Sequence, residues 1–256
     1  MTITHLYRFP IKGLSAETPD QFTLVAGDGL AGDRELAIAR MPGLFDPSTP
    51  KSLSKTNFLM LMKDEKLARL ETRYNSDART LTITEDGQTR LSISIDEASD
   101  RVALANFFKD YLGSEGLDPT LVSAPGHKFT DLSVVSPEKM RAISLINTKS
   151  VDAFATELGQ PVDHRRFRGN IVFEGKTPWE EFDWLGKTIR IGGATAKVVK
   201  RTQRCAATEV NPDTAERDIH LPFELRTRYG HMDMGIYAEV EASGEVKLGD
   251  RIELLN

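Results

Sequence analysis

The sequence predicts a mixed, mainly β fold: an N-terminal β-rich domain over residues 1–118, then a β-barrel or mixed sheet over 119–256 with a few covering helices. Three observations lead there. Short segments that alternate apolar and polar residues outnumber segments with helical spacing. Strands and helices do not alternate regularly, as they would in a parallel α/β sheet. Leu112 to Gly126 holds glycines, a proline and few large side chains, which marks a boundary between two units.

Taken in order, Ile3 to Phe9 alternates and stops at Pro10, and Phe22 to Val25 is a strand leading into a glycine-rich loop. Leu36 to Ala39 is short and apolar. Thr80 to Thr84 and Leu91 to Ile95 both alternate, and Glu85-Asp86-Gly87 supplies the turn of a hairpin between them. Ser99 is placed to cap a helix carrying Val102, Leu104, Ala105, Phe108 and Leu112, with Gly113 as its stop. Asn147 or Thr148 starts a second helix with Val151, Phe154, Ala155 and Leu158 on one face and Gly159 past its end. Further strands follow at Asn170 to Phe173, Thr188 to Ile191, Ala194 to Lys200 and Gly235 to Glu241.

Composition bounds the function. With 39% hydrophobic and 28% charged residues, the chain is close to an average globular protein. A net charge of −5 gives no reason to expect nucleic acid or an anionic membrane as partner. No apolar run approaches the roughly 20 residues of a membrane-spanning helix, and the first residues lack the pattern of a signal peptide. A cytoplasmic location is the expectation. The single cysteine excludes an internal disulfide and a self-held iron–sulfur cluster.

Two motifs have bland readings that outweigh their functional ones. Gly27-Asp28-Gly29-Leu30-Ala31-Gly32 matches a dinucleotide fingerprint, but Pro42 and Gly43 stop the next segment before a crossover helix could form. It reads as a turn between strands. Ser136-Pro137-Glu138-Lys139 matches the S-x-x-K pattern of serine acyl-enzymes, yet spells a helix start and has no companion motif.

Residues 164 to 204 carry ten Lys and Arg against four Asp and Glu, a local +6 in a chain of −5. Such a run is often only a solvated face. Here Arg165, Arg166 and Arg168 are followed by Arg201 and Arg204, which lead into Cys205. Arginine forks suit phosphate, so the cluster points to a small anionic ligand. Cationic neighbours favour a thiolate, and the residues leave Cys205 three roles: inert, nucleophile, or ligand to a soft metal. As a nucleophile it would need a base, for which His164 and His220 are candidates.

Three segments carry a family resemblance: Arg166-Phe167-Arg168-Gly169-Asn170-Ile171-Val172, Trp179 through Gly186, and Arg204-Cys205-Ala206-Ala207-Thr208-Glu209-Val210. Together they resemble the MOSC domain, named for the C-terminal domain of molybdenum cofactor sulfurases. Tyr7 through Gly13, with Gly32-Asp33-Arg34, is similar to the N-terminal β-barrel domain that accompanies MOSC in one subgroup. That subgroup, which includes the mitochondrial amidoxime-reducing component and bacterial relatives, reduces N-hydroxylated compounds.

The resemblance implies a molybdenum cofactor, a pterin-bound molybdenum ligated by Cys205. It implies that Lys12, Gly13, Arg34, Asn147, Thr148, Arg168, Asn170 and Arg204 hold the cofactor, and that Thr208 supports the cysteine loop. The implied reaction is oxygen abstraction from a small N-hydroxylated substrate. Some bacterial relatives append a ferredoxin domain; the sequence stops at Asn256 without one, so a separate electron donor of ferredoxin or flavin-reductase type is expected. Position 169 is Gly where several relatives have Pro or Ala. The rival reading is a MOSC module that carries sulfur or cofactor to another enzyme without turnover. A basic barrel binding RNA is disfavoured by the lack of interleaved aromatics.

Overall fold

The computed structural model describes residues 1–136 and 138–255. Pro137 of the S-x-x-K segment therefore lies outside the described residues. The chain opens with β1 (Thr2–Leu6), β2 (Gln21–Val25), β3 (Gly29–Leu30) and β4 (Ala37–Ala39). A meander of β5 (Glu71–Asn75), β6 (Thr80–Glu85) and β7 (Gln88–Ser94) precedes α1 (Ala98–Leu112) and β8 (Thr120–Val122). Next come β9 (Ile143–Asn147), α2 (Thr148–Leu158), β10 (Ile171–Glu174), β11 (Thr188–Ile191) and β12 (Ala194–Gln203). The chain ends with α3 (Leu221–Tyr229), β13 (Asp233–Ala242), β14 (Gly244–Lys247) and β15 (Ile252–Leu254).

The main sheet has the order β1-β10-β9-β13-β12-β11-β15. Its two outer strands approach each other: Thr2 bridges Arg251, and the Ile252 amide donates to the Met1 carbonyl at 3.0 Å. The sheet is thus a nearly closed barrel, which leaves little unpaired edge. β9 and β10 are its parallel pair, joined by α2 as a β-α-β crossover. That explains β9: Ile143 and Leu145 face the barrel core while Ile146 packs under α2 with Val151 and Phe154, so every residue of the strand is buried.

A second core lies outside the barrel. Leu81, Ile83 and Ile93 of the meander pack on Leu104 and Phe108 of α1. Burying Phe108 completely contributes about 2–3 kcal/mol of hydrophobic stabilisation. The apolar face of α1 runs through Leu104, Phe107, Phe108, Tyr111 and Leu112, whereas Val102 is 59% exposed. Ser99 is not the cap: Glu97 holds that position without a side-chain bond, and Ser99 falls inside the first turn. The Asp100 carboxylate accepts from the Ser94 amide at 2.8 Å and so ties the helix start to β7.

Strands from residues 1–118 pair with strands from 119–256. β1 pairs with β10 and β2 with β14, so Ile3, Leu6, Phe22, Leu24 and Leu30 belong to the barrel core. The expected linker itself contains β8, which pairs with β4. The Gly27–Gly32 segment turns the chain back on β2, its Gly29 and Leu30 forming β3 opposite Val25 and Leu24. Among the described residues, no helix is long and apolar enough to cross a membrane.

Candidate functional site

Cys205 sits where β12 leaves the barrel. The Arg204 amide donates to the Met232 carbonyl at 2.8 Å, which ends the strand and turns the chain. Cys205 then starts a short 3-10 turn, Ala206–Glu209. The amide and hydroxyl of Thr208 both donate to the Cys205 carbonyl, at 3.0 and 2.9 Å. Thr208 thus braces the turn.

Cys205 lines a chamber of about 130 Å³. Lys12, Gly13, Arg34, Arg168, Arg204 and Thr208, all expected at the site, line it together with Cys205. Lys55, Asp131, Ser144 and Tyr237 line it as well and were not foreseen. They come from two 3-10 turns and two strands, and no sequence motif marks them.

Charge dominates this lining. Among the described residues it includes Lys12, Lys55 and four arginines but one carboxylate, Asp131. Lys12 donates to Asp131 at 2.6 Å and to the Phe129 carbonyl at 2.9 Å; Lys55 reaches the other Asp131 oxygen at 3.2 Å. Burial pushes the Asp131 carboxyl up, but the two lysines outweigh it and hold the group well below the usual carboxylate range. Burial lowers the Lys12 ammonium. At Lys55, burial is outweighed by Asp131 and by Cys205, and the ammonium is raised.

Two of the chamber's arginines, Arg168 and Arg204, have no carboxylate partner among the described residues, whereas Arg166 pairs with Asp218. Arg204 directs its donors to the Met234 and Phe167 carbonyls. Burial lowers its guanidinium to about 10. Arg168 donates to the Leu14 carbonyl at 2.8 Å, and burial with the neighbouring Arg34 lowers it to about 9. Arg34 and Arg168 both have left-handed backbone, at φ +53° and +50°, and Gly13 has φ +83°. Non-glycine residues held in that region are strained, and such strain concentrates at functional sites.

Asn147, Thr148 and Asn170 do not line the chamber. Asn147 is a helix cap: its oxygen accepts from the Lys149 and Gly175 amides, and its nitrogen donates to Thr177 and Glu181. All of its hydrogen-bonding capacity is used inside the barrel wall. Thr148 is the first residue of α2 and only half-buried. Asn170 accepts from Ser144 and donates to the Tyr7 carbonyl and to Asp33 Oδ1 at 3.0 Å. Since Asp33 also pairs with Arg34, Asn170 acts behind Arg34. Gly169 is demanded by packing: a Cβ there would lie 2.4 Å from Ile146 Cγ1.

The basic run separates in space. Arg165 pairs with Asp163 and Asp213, Arg166 with Asp218, and Arg190 with Glu253. A larger cavity of about 750 Å³ adjoins the chamber; Gly13, Leu61, Arg166, Arg168 and Ala207 line both.

A family model described as the MOSC domain matches residues 126–253, and one described as the MOSC N-terminal beta barrel domain matches 1–115. The chain belongs to the MOSC family. Among curated MOSC relatives, a protein named molybdenum cofactor sulfurase from Drosophila mojavensis is 27% identical over 90% of this chain and 30% of its own length. Mitochondrial amidoxime-reducing component 1 of Xenopus laevis is 28% identical over 48% of this chain and 39% of its own. The component 2 of Bos taurus is 30% identical over 43% and 36%. The chain therefore spans only about a third of the length of these relatives. Among solved structures, the YUAD protein of Bacillus subtilis aligns over 99% of this chain and 94% of its own at a TM-score of 0.45 and 14% identity. YiiM of Geobacillus stearothermophilus aligns over 44% and 54%, with a TM-score of 0.36 and 22% identity.

Proposed function

We propose that this chain binds the molybdenum cofactor through Cys205 and reduces small N-hydroxylated compounds, with electrons from a separate donor of ferredoxin or flavin-reductase type. The observation that carries the reading is the thiol of Cys205 at a chamber whose lining holds six cations and one carboxylate. Both named groups of relatives, the cofactor sulfurases and the amidoxime-reducing components, support a molybdenum-cofactor role.

The donor set suits that cofactor. Among the described residues, no cluster of three or more His, Cys, Asp or Glu is placed to hold a metal ion. A metal at Cys205 must then bring most of its ligands with it, as a pterin dithiolene does, leaving one soft thiolate for the protein to add. Arg168 and Arg204, which pair with no carboxylate among the described residues, suit the anionic end. Size supports the same picture: 130 Å³ is below the roughly 300–1,000 Å³ of organic ligand sites, while the adjoining 750 Å³ cavity brings the pair into that range.

When bound, the cofactor supplies two-electron removal of oxygen from nitrogen. The chain supplies the rest. Cys205 is held by Thr208, and Lys55 keeps positive charge beside its sulfur. Burial raises the Tyr237 phenol, so it stays protonated at neutral pH and offers an O–H to an oxygen atom in the chamber.

Cofactor carriage without turnover is the second reading, favoured by the sulfurase relatives that align over 90% of this chain. Cofactor-loaded protein assayed with a chemical reductant and a panel of amidoximes and hydroxylamines separates the two. Turnover that disappears in Cys205→Ala supports the reductase. No turnover, with transfer of sulfur or cofactor to a recipient apo-enzyme, supports the carrier. Turnover undiminished in Cys205→Ala contradicts both.

A further inference from the structure

Arg217 lies beyond the cysteine turn, outside every motif of the sequence. Its Nη1 donates to the carbonyl of Ala206, the residue after Cys205, at 2.9 Å. Its Nη2 donates to the carbonyls of Leu61 and Met62, at 2.9 and 2.8 Å. Leu61 and Met62 belong to the Cys205 chamber wall but are contributed by the N-terminal part of the chain. Glu65 at 3.3 Å and Glu209 at 3.6 Å, one from each side, balance the charge.

The Cys205 loop is held differently on its other flank. Arg166, only 5% exposed, donates to the Glu209 carbonyl at 3.0 Å and to Asp218 at 2.7 Å, which fastens the loop to the barrel. Among the described residues, the side-chain hydrogen bonds from the loop 205–218 to residues 58–71 all come from Arg217. Its side chain is 28% exposed, so this contact is at the rim, where a wall can part without disturbing a core.

We infer that Arg217 is a positioning residue that sets the gap between the Cys205 turn and the Leu61–Met62 wall. It thereby controls access to the thiol and retention of whatever the chamber holds. A guanidinium serves here because its planar fork presents donors in several fixed directions. A lysine ammonium keeps the charge but has no such fork to span three carbonyls. The control of access concerns the chain alone; only its consequence for the molybdenum cofactor rests on the function proposed above.

Because Cys205 is the only cysteine, thiol alkylation reports this one site. The test is the rate of iodoacetamide alkylation of the metal-free full chain at fixed pH, followed by intact mass. Arg217→Ala should react about tenfold faster than wild type, which corresponds to roughly 1.4 kcal/mol of easier opening. Arg217→Lys should fall between, and Arg226→Ala, an exposed arginine on α3, should match wild type. Thermal unfolding of each variant checks that the fold is kept; if the alanine variant does not fold, the lysine variant carries the comparison. A wild-type rate in the folded Arg217 variants, or an equal acceleration in Arg226→Ala, overturns the inference. Absence of molybdenum from the wild type would overturn the cofactor reading while leaving the alkylation result intact.

Discussion

Arg34 donates to the carbonyl of Arg168 at 3.0 Å, and both guanidinium groups lie over the Phe9 ring, 4.6 and 4.3 Å from its centroid. Asp33 serves Arg34, but among the described residues Arg168 has no carboxylate partner. Two cations held this close repel each other, and an anion arriving between them relieves that repulsion. The pair is therefore the part of the chamber most in need of a ligand.

Pyrophosphate should bind there. At a concentration one hundred times its dissociation constant it would stabilise the fold by about 2.7 kcal/mol, read as a saturable rise in melting temperature. Arg168→Gln should lose most of that rise. Arg165→Ala, which removes an arginine already paired with Asp163 and Asp213, should keep it. Equal shifts in both variants would contradict the assignment.

Asn147→Ala separates a structural role from a ligand role. The substitution removes the α2 cap and leaves the Gly175 amide and the Glu181 carboxylate short of a partner. A loss of about 2–4 kcal/mol in chemical denaturation is expected. Molybdenum per folded molecule should not change. A stable variant that has lost the metal would restore Asn147 to the cofactor site.

Stability should fall on mild acidification through His127. The residue is 5% exposed, and its ring packs on Phe45 and Phe129, at centroid distances of 5.2 and 4.7 Å. Burial, and then Arg141, lower its proton affinity below the ordinary histidine value. The unfolded chain, with a histidine pKa near 6.5, then binds more protons than the folded one just below that pH. The stability from the neutral ring is present above about pH 6.5 and is lost as pH falls toward the folded value. His127→Phe should flatten the decline in melting temperature between about pH 7 and 5. An unchanged slope would show that other groups carry it.

What was legible in the sequence was local. The β6–β7 hairpin could be read because Asp86 and Gly87 accept positive φ, +51° and +74°, and the strands on either side alternate. The β1–β10 pairing could not, since nothing near Ile3 indicates that Phe173 lies opposite. α3 is not legible in the sequence because only Leu221 and Leu225 are buried along it, while Phe223 is exposed. β9 carries no alternation, being buried on both faces. At the site, Cys205, Arg168 and Lys12 stood in motifs. Lys55 and Asp131 contribute through a pairing across the fold that no local spacing encodes, and the Asn147 and Asn170 side chains bond within the fold, away from the chamber lining.

The central claim is that Cys205 holds molybdenum. Its most direct test is the molybdenum content, by elemental mass spectrometry, of protein purified from cofactor-replete cells beside Cys205→Ala. The account predicts near-stoichiometric metal in the wild type and little or altered metal in the variant. Wild-type protein with neither molybdenum nor pterin, or a variant with the same metal content, would contradict it.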